Sequence, residues 1–161
     1  MVYLSTLKVI YIIITVYNLE IEVFDIVAVY LNVNVFEGVT IFIRQSHRLD
    51  NSTGRVYRLK KALYSLYGSP KWWYDIIVPI LKKYGFEVFI SDIYCFIDKD
   101  KRIFLYLYID DIIIAVLTKT LIVQTKKEFA GVFEMKKLDE FRRYFGYRID
   151  RNREECFIYI S

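Results

Sequence analysis

The segment IFLYLYIDDIIIAVL, residues 103 to 117, limits the fold of this chain more than any other: two adjacent carboxylates, Asp110 and Asp111, divide an otherwise apolar run. Neither half alternates apolar with polar residues, so each reads as a strand covered on both faces. Carboxylates cannot be sealed into such a layer unpaired, because a desolvated charge without a partner is expensive. Asp110 and Asp111 therefore belong at a water-reachable hairpin tip or against a cation. Spacing alone leaves two readings open. One is a solvated turn, which aspartate commonly forms; the other is a cation site, which needs a third carboxylate. Asp25, in the midst of the strand-like run IEVFDIVAVYL (21 to 31), can supply it.

The rest of the chain supplies the frame. Strands are expected at 21 to 31, 39 to 44, 94 to 97, 103 to 109 and 112 to 117, with a terminal hairpin of 147 to 150 and 157 to 160 around Arg151 to Glu155. A helix is expected at 4 to 17, where Leu4, Leu7, Tyr11 and Ile14 share one face. Another, 71 to 84, places Trp73, Ile76, Ile77 and Ile80 at helical spacing and closes on Lys82, Lys83 and Gly85. Pro79 inside it is expected to bend or truncate it. A third helix is expected at 119 to 131, short ones at 60 to 66 and 138 to 145, and a polar loop at 45 to 54. The order predicts an α+β fold, a central antiparallel sheet covered by helices on one face.

Composition narrows the function classes. At 161 residues, 55% of them apolar, the chain is long enough for one domain with a real core, and general disorder is excluded. Cys95 and Cys156 make no disulfide framework, and with His47 the lone histidine a structural zinc site and a His-based hydrolytic triad are both disfavoured. The apolar run Val9 to Tyr17 is too short to span a membrane, and no targeting segment is legible, so an intracellular, cytoplasmic chain is expected. Asn51-Ser52-Thr53 matches a glycosylation acceptor that such a chain would not use. The balance of 23 Lys and Arg against 19 Asp and Glu, +4 overall, suits a polyanionic partner without demanding one. Lys60, Lys61, Lys71, Lys82, Lys83, Arg142, Arg143 and Arg148 are candidate phosphate contacts. Three carboxylates at adjacent strand ends can hold two divalent ions roughly 3.5 to 4 Å apart, the arrangement that serves phosphoryl transfer. Oxygen ligands of this kind suit Mg²⁺.

Tyr108-Ile109-Asp110-Asp111 followed by IIIA resembles the YxDD box of reverse transcriptases. FDIVAVYLN (24 to 32), VYRLKKALYSLYGSPKWWYD (56 to 75) and FEMKKLDEFRRYFGYRI (133 to 149) resemble, in order, blocks of the Ty1/copia class of retrotransposon polymerases. The resemblance covers essentially the entire chain. It implies a palm-like antiparallel sheet packed on helices with partial fingers, residues 1 to 161 forming a partial, palm-centred reverse transcriptase domain. It implies RNA-directed DNA polymerase chemistry with two Mg²⁺ ions held by Asp25, Asp110 and Asp111, and an RNA or DNA template, a primer and deoxynucleotides as partners. Tyr30 matches the aromatic position beneath the incoming sugar, with a core tyrosine as the other reading. Tyr108 belongs to the box. Gly68, Ser69 and Pro70, with Leu63, Tyr64, Trp73 and Tyr74, match the block that positions nucleotide and template.

The departures carry expectations of their own. Val27 stands where the family usually has Lys, and Gly68 where a Gln helps hold nucleotide and template. Val33, Ser65, Val116 and Asp139 stand at positions where the family has Gly, a costly change wherever φ was positive. The resemblance also implies that the basic start of the fingers, the thumb and RNase H lie outside the chain. The expectation is a degenerate retroelement fragment, inactive alone; the alternatives are a nucleic-acid-binding remnant without turnover and a non-functional reading frame.

Overall fold

The computed structural model describes residues 4–45, 55–138, 143–144 and 147–161. They fall into two compact units, one of the residues up to Val27 and from Leu81 onward, the other Ala28–Ile80. The first unit is built on a six-stranded sheet, antiparallel throughout, in the order Glu87–Phe89 (β4), Asp92–Asp98 (β5), Ile103–Tyr108 (β6), Asp111–Val116 (β7), Glu20–Ile26 (β1), Met135–Lys137 (β8).

The absence of alternation in residues 103 to 117 has its structural counterpart in β7, where Ile112, Ile113, Ile114, Ala115 and Val116 are all buried. Successive side chains of a strand point to opposite faces, so burial at every position requires cover on both. On one face Val23, Cys95, Tyr106, Ile113 and Ala115 pack with Leu7, Ile10, Tyr11 and Ile14 of helix α1 (Leu4–Val16). On the other, helix α3 (Lys119–Ala130) lies against β7 and β1, with the Lys126 ammonium 5.3 Å from the Phe24 ring centroid. Phe129 of α3 meets Phe86 and Tyr84. The expectation of helices on one face is corrected: helices cover both, because the strands offer two apolar faces. Thr118 caps α3, its hydroxyl accepting from the Leu121 amide.

The terminal hairpin forms as expected, from β10 (Tyr147–Asn152) and β11 (Phe157–Ile160). Arg153 beyond β10 reaches back across the unit: Nε donates to Asn18 Oδ1 at 2.9 Å, one terminal nitrogen to Glu20 Oε1 at 2.6 Å and the other to the Asn18 carbonyl at 2.8 Å. Asn18, left-handed at φ +47°, is the turn between α1 and β1.

The second unit holds a 3-10 turn (Val29–Asn32), β2 (Phe42–Arg44) paired with β3 (Val56–Arg58), and most of helix α2 (Ser69–Lys83), which continues through Pro79. Strand β1 stops at Ile26, short of the expected Leu31, because Ala28 at φ +53° turns the chain into the 3-10 turn. The expected helix at 60 to 66 is absent. Lys61 bridges to Asn34, Ser65 is left-handed at φ +73°, and the Ser69 hydroxyl donates to the Leu63 carbonyl at 2.8 Å. A left-handed residue and a captured carbonyl together prevent a helical turn. The helix expected at 138 to 145 fails where it is described, since Arg143–Tyr144 form β9 against β10. Residues 46 to 54, with His47 and the glycosylation match, lie outside the described residues, as do Asp139 and Arg142. Of the positions expected to suffer from a missing glycine, Ser65 is left-handed, whereas Val33 is extended at φ −104° and Val116 continues β7. No described helix is long and apolar enough to cross a membrane.

Candidate active site

Asp25 and Asp111 face each other across the β1–β7 ladder, and Tyr108 and Asp111 close the β6–β7 hairpin around a two-residue turn, Ile109-Asp110. A two-residue turn between antiparallel strands favours a positive φ at its first residue, normally taken by glycine. Here that residue is Ile109 at φ +54°, a conformation β-branched residues avoid. The turn is tied to the neighbouring strand. The Ile26 amide donates to the Asp110 carbonyl at 2.8 Å, and the Val27 amide donates to the Glu134 carbonyl at 2.9 Å. The end of β1 is thereby fastened to the turn that carries the carboxylates.

The outcome is convergence. One carboxylate oxygen from each of Asp25, Asp110 and Asp111 lies within 4.8 Å of the other two, and all three residues are half-buried. Burial pushes the Asp111 carboxyl up to about 6, with the charges of Asp110 and then Asp25 adding to the rise. Asp25 is raised for the same reasons, burial first and Asp110 second, while Lys136 opposes the shift. Lys136 is Asp25's partner in the β1–β8 ladder. Carboxylates gathered this closely repel one another, and a hard divalent cation relieves that repulsion with the oxygen ligands it prefers. The donor set fits such an ion. Lys136 escaped the sequence reading; its one signal, a basic pair after an acidic and apolar stretch, fixes no register for a three-residue strand.

The remaining candidates occupy other settings. Tyr108 packs partly buried against the α1 face of the sheet. In the second unit Tyr30 is buried, its ring meeting Tyr64 edge-on at 4.7 Å between centroids. Ser69 is buried and committed to the Leu63 carbonyl, and Pro70 is an exposed residue in the first turn of α2. Gly68 has no left-handed φ; a Cβ there would lie 2.7 Å from Cζ2 of Trp72, so the indole holds the space beside it.

A sequence model of the family described as reverse transcriptase (RNA-dependent DNA polymerase) matches residues 1–159. The chain belongs to that family. Its members as a class are RNA-directed DNA polymerases, and the acidic cluster includes the Asp-Asp pair of the chain's YxDD box. The chain is also similar to the retrovirus-related Pol polyprotein from transposon TNT 1-94 of Nicotiana tabacum, 26% identical over 147 residues. That match takes in 89% of this chain and only 11% of the polyprotein's length.

Proposed function

We propose that the chain is the palm-like portion of a Ty1/copia-type reverse transcriptase and that its acidic cluster serves templated addition of deoxynucleotides to a primer. The observation that carries this reading is the convergence of Asp25, Asp110 and Asp111 from two distant parts of the sequence. In the reaction the primer 3′-oxygen forms a bond to the α-phosphorus of a deoxynucleotide, the bond from that phosphorus to the pyrophosphate oxygen breaks, and the hydroxyl proton leaves to solvent. Two Mg²⁺ ions, when bound, would neutralise charge developing on the attacking and leaving oxygens. Asp25, Asp110 and Asp111 would hold them, and the strained Ile109 turn keeps Asp110 at the sheet's wet end. Lys136 favours the ionised form of Asp25, which a metal requires.

The test is extension of a labelled primer on an RNA template with Mg²⁺, comparing the chain with Asp110→Asn. Extension by the parent that falls at least a hundredfold in the variant is the outcome this proposal requires, since such chemistry rests largely on electrostatic stabilisation, and it would overturn the expectation, drawn from Val27 and Gly68, of a chain inactive alone. Equal background in both would instead select the second reading, nucleic-acid binding without turnover. That reading draws on Gly68, whose position offers no side chain to a nucleotide.

A further inference from the structure

The net charge of the chain is unevenly divided. Residues 28 to 80 contain seven Lys and Arg against three Asp and Glu, whereas the rest of the chain has sixteen of each. The entire +4 excess therefore belongs to the second unit. Its stretch from Lys60 to Trp72 carries both exposed charge and exposed aromatic rings. Lys60, Lys61 and Lys71 are exposed, Tyr64 is more than half exposed and Tyr67 is fully so. Lys71 also pairs with Asp75 at 2.6 Å, which leaves Lys60 and Lys61 as the stronger positive points.

Trp72 is the residue in this stretch with an unexplained arrangement. Its neighbour Trp73 is a buried core anchor, but Trp72 is only half-buried and its indole lies against Gly68, with the six-membered ring where a side chain at 68 would begin. The backbone at Gly68 has no left-handed φ, so a side chain at 68 would disturb the indole and not the turn. Gly68 and Trp72 are thus one steric unit. The Trp72 amide completes it by donating to the Gly68 carbonyl at 3.0 Å. A flat aromatic seated on a glycine keeps one orientation and leaves part of its surface to solvent, and indole surfaces accept unpaired bases irrespective of sequence.

We propose that Trp72, positioned by Gly68, is a base-stacking residue for single-stranded nucleic acid, with Lys60 and Lys61 meeting the phosphates. The choice of ligand rests on the polymerase reading above; the stacking role is additional to it, replacing a side-chain hydrogen bond at position 68 with an aromatic face. The two contributions carry different signatures. Stacking is insensitive to ionic strength, whereas each lysine that neutralises a phosphate adds about 0.7 to the slope of log affinity against log salt on a single strand.

The experiment measures binding of a fluorescent twelve-nucleotide single-stranded RNA, in EDTA and across a salt series, so that failure of metal-dependent extension does not bear on it. Trp72→Ala is expected to weaken binding about 5- to 140-fold with the salt slope unchanged, the range that stacking of one base supplies. Trp72→Phe retains most of the affinity and controls for folding, together with an unchanged circular dichroism spectrum. Gly68→Ala displaces the indole and loses affinity likewise, and adding it to Trp72→Ala costs nothing further, the coupling expected of a single unit. Lys60→Ala with Lys61→Ala flattens the salt slope. The proposal is overturned if folded Trp72→Ala binds as the parent does, if its loss comes with a flattened salt slope, or if Gly68→Ala and Trp72→Ala act additively. Parent chain that binds duplex as tightly as single strand, with no effect of Trp72→Ala, also overturns it.

Discussion

Asp111 offers the most direct check on the acidic cluster, because its carboxyl is held near 6 where an unfolded aspartate ionises close to 4. A carboxyl whose folded value is raised contributes stability that is present below about pH 4 and lost as the pH climbs through 6. Urea unfolding without divalent ions is therefore expected to show a decline over that window, abolished by Asp111→Asn. Millimolar Mg²⁺ should reverse it by favouring the ionised carboxylates. A flat profile in the parent, or no effect of Mg²⁺, would refute the cluster as a cation site. Much of this was legible at the level of residues. Asp25, Asp110 and Asp111 could be singled out because a charge amid Ile, Val and Phe needs a reason. Lys136 could not, since its place opposite Asp25 depends on a ladder joining residues more than a hundred positions apart.

Among elements, the turn between β6 and β7 departs furthest from what its sequence favours. A β-branched residue at positive φ costs on the order of 1 to 3 kcal/mol. Ile109→Gly is expected to recover about 1 kcal/mol of that in equilibrium unfolding, the remainder offset by the greater freedom of glycine in the unfolded chain. A destabilised variant would mean that the isoleucine side chain, and not its backbone, holds the turn. The long helices were readable because their apolar spacing persists for three or more turns, and α1, α2 and α3 lie within two residues of expectation. Strands of three residues such as β3, β4 and β8 carry too little pattern to be read locally. The error at 60 to 66 has another origin: Lys-Lys-Ala-Leu favours a helix, yet the left-handed Ser65 and the Ser69 hydroxyl hold the chain in a turn. Tertiary hydrogen bonding outweighed propensity there.

For the molecule as a whole, the apolar composition leaves more surface than the described fold covers. Helix α1 buries Leu7, Tyr11 and Ile14, yet Val9, Ile12 and Val16 on its outer side are 49%, 61% and 69% exposed. Contiguous apolar surface of this kind promotes association. Replacing these three with Gln, Lys and Glu is expected to shift the chain toward monomer in size-exclusion chromatography and reduce dye binding, with the melting temperature falling by no more than a few degrees. Unchanged association would place the sticky surface elsewhere, with Phe89, Ile90 and Ile93 as the next candidates. The sheet order has a consequence for how such a chain is made. Strand β1 lies between β7 and β8, and Asp25 meets Asp111 only 86 positions later. At about 5 to 20 residues per second, a ribosome needs roughly 4 to 17 s to deliver the partner strand. Throughout that interval β1 waits without its neighbours, and newborn chains on one messenger are close enough to pair with each other instead. Yield should therefore depend on translation speed and chaperone supply, even where the finished protein is stable.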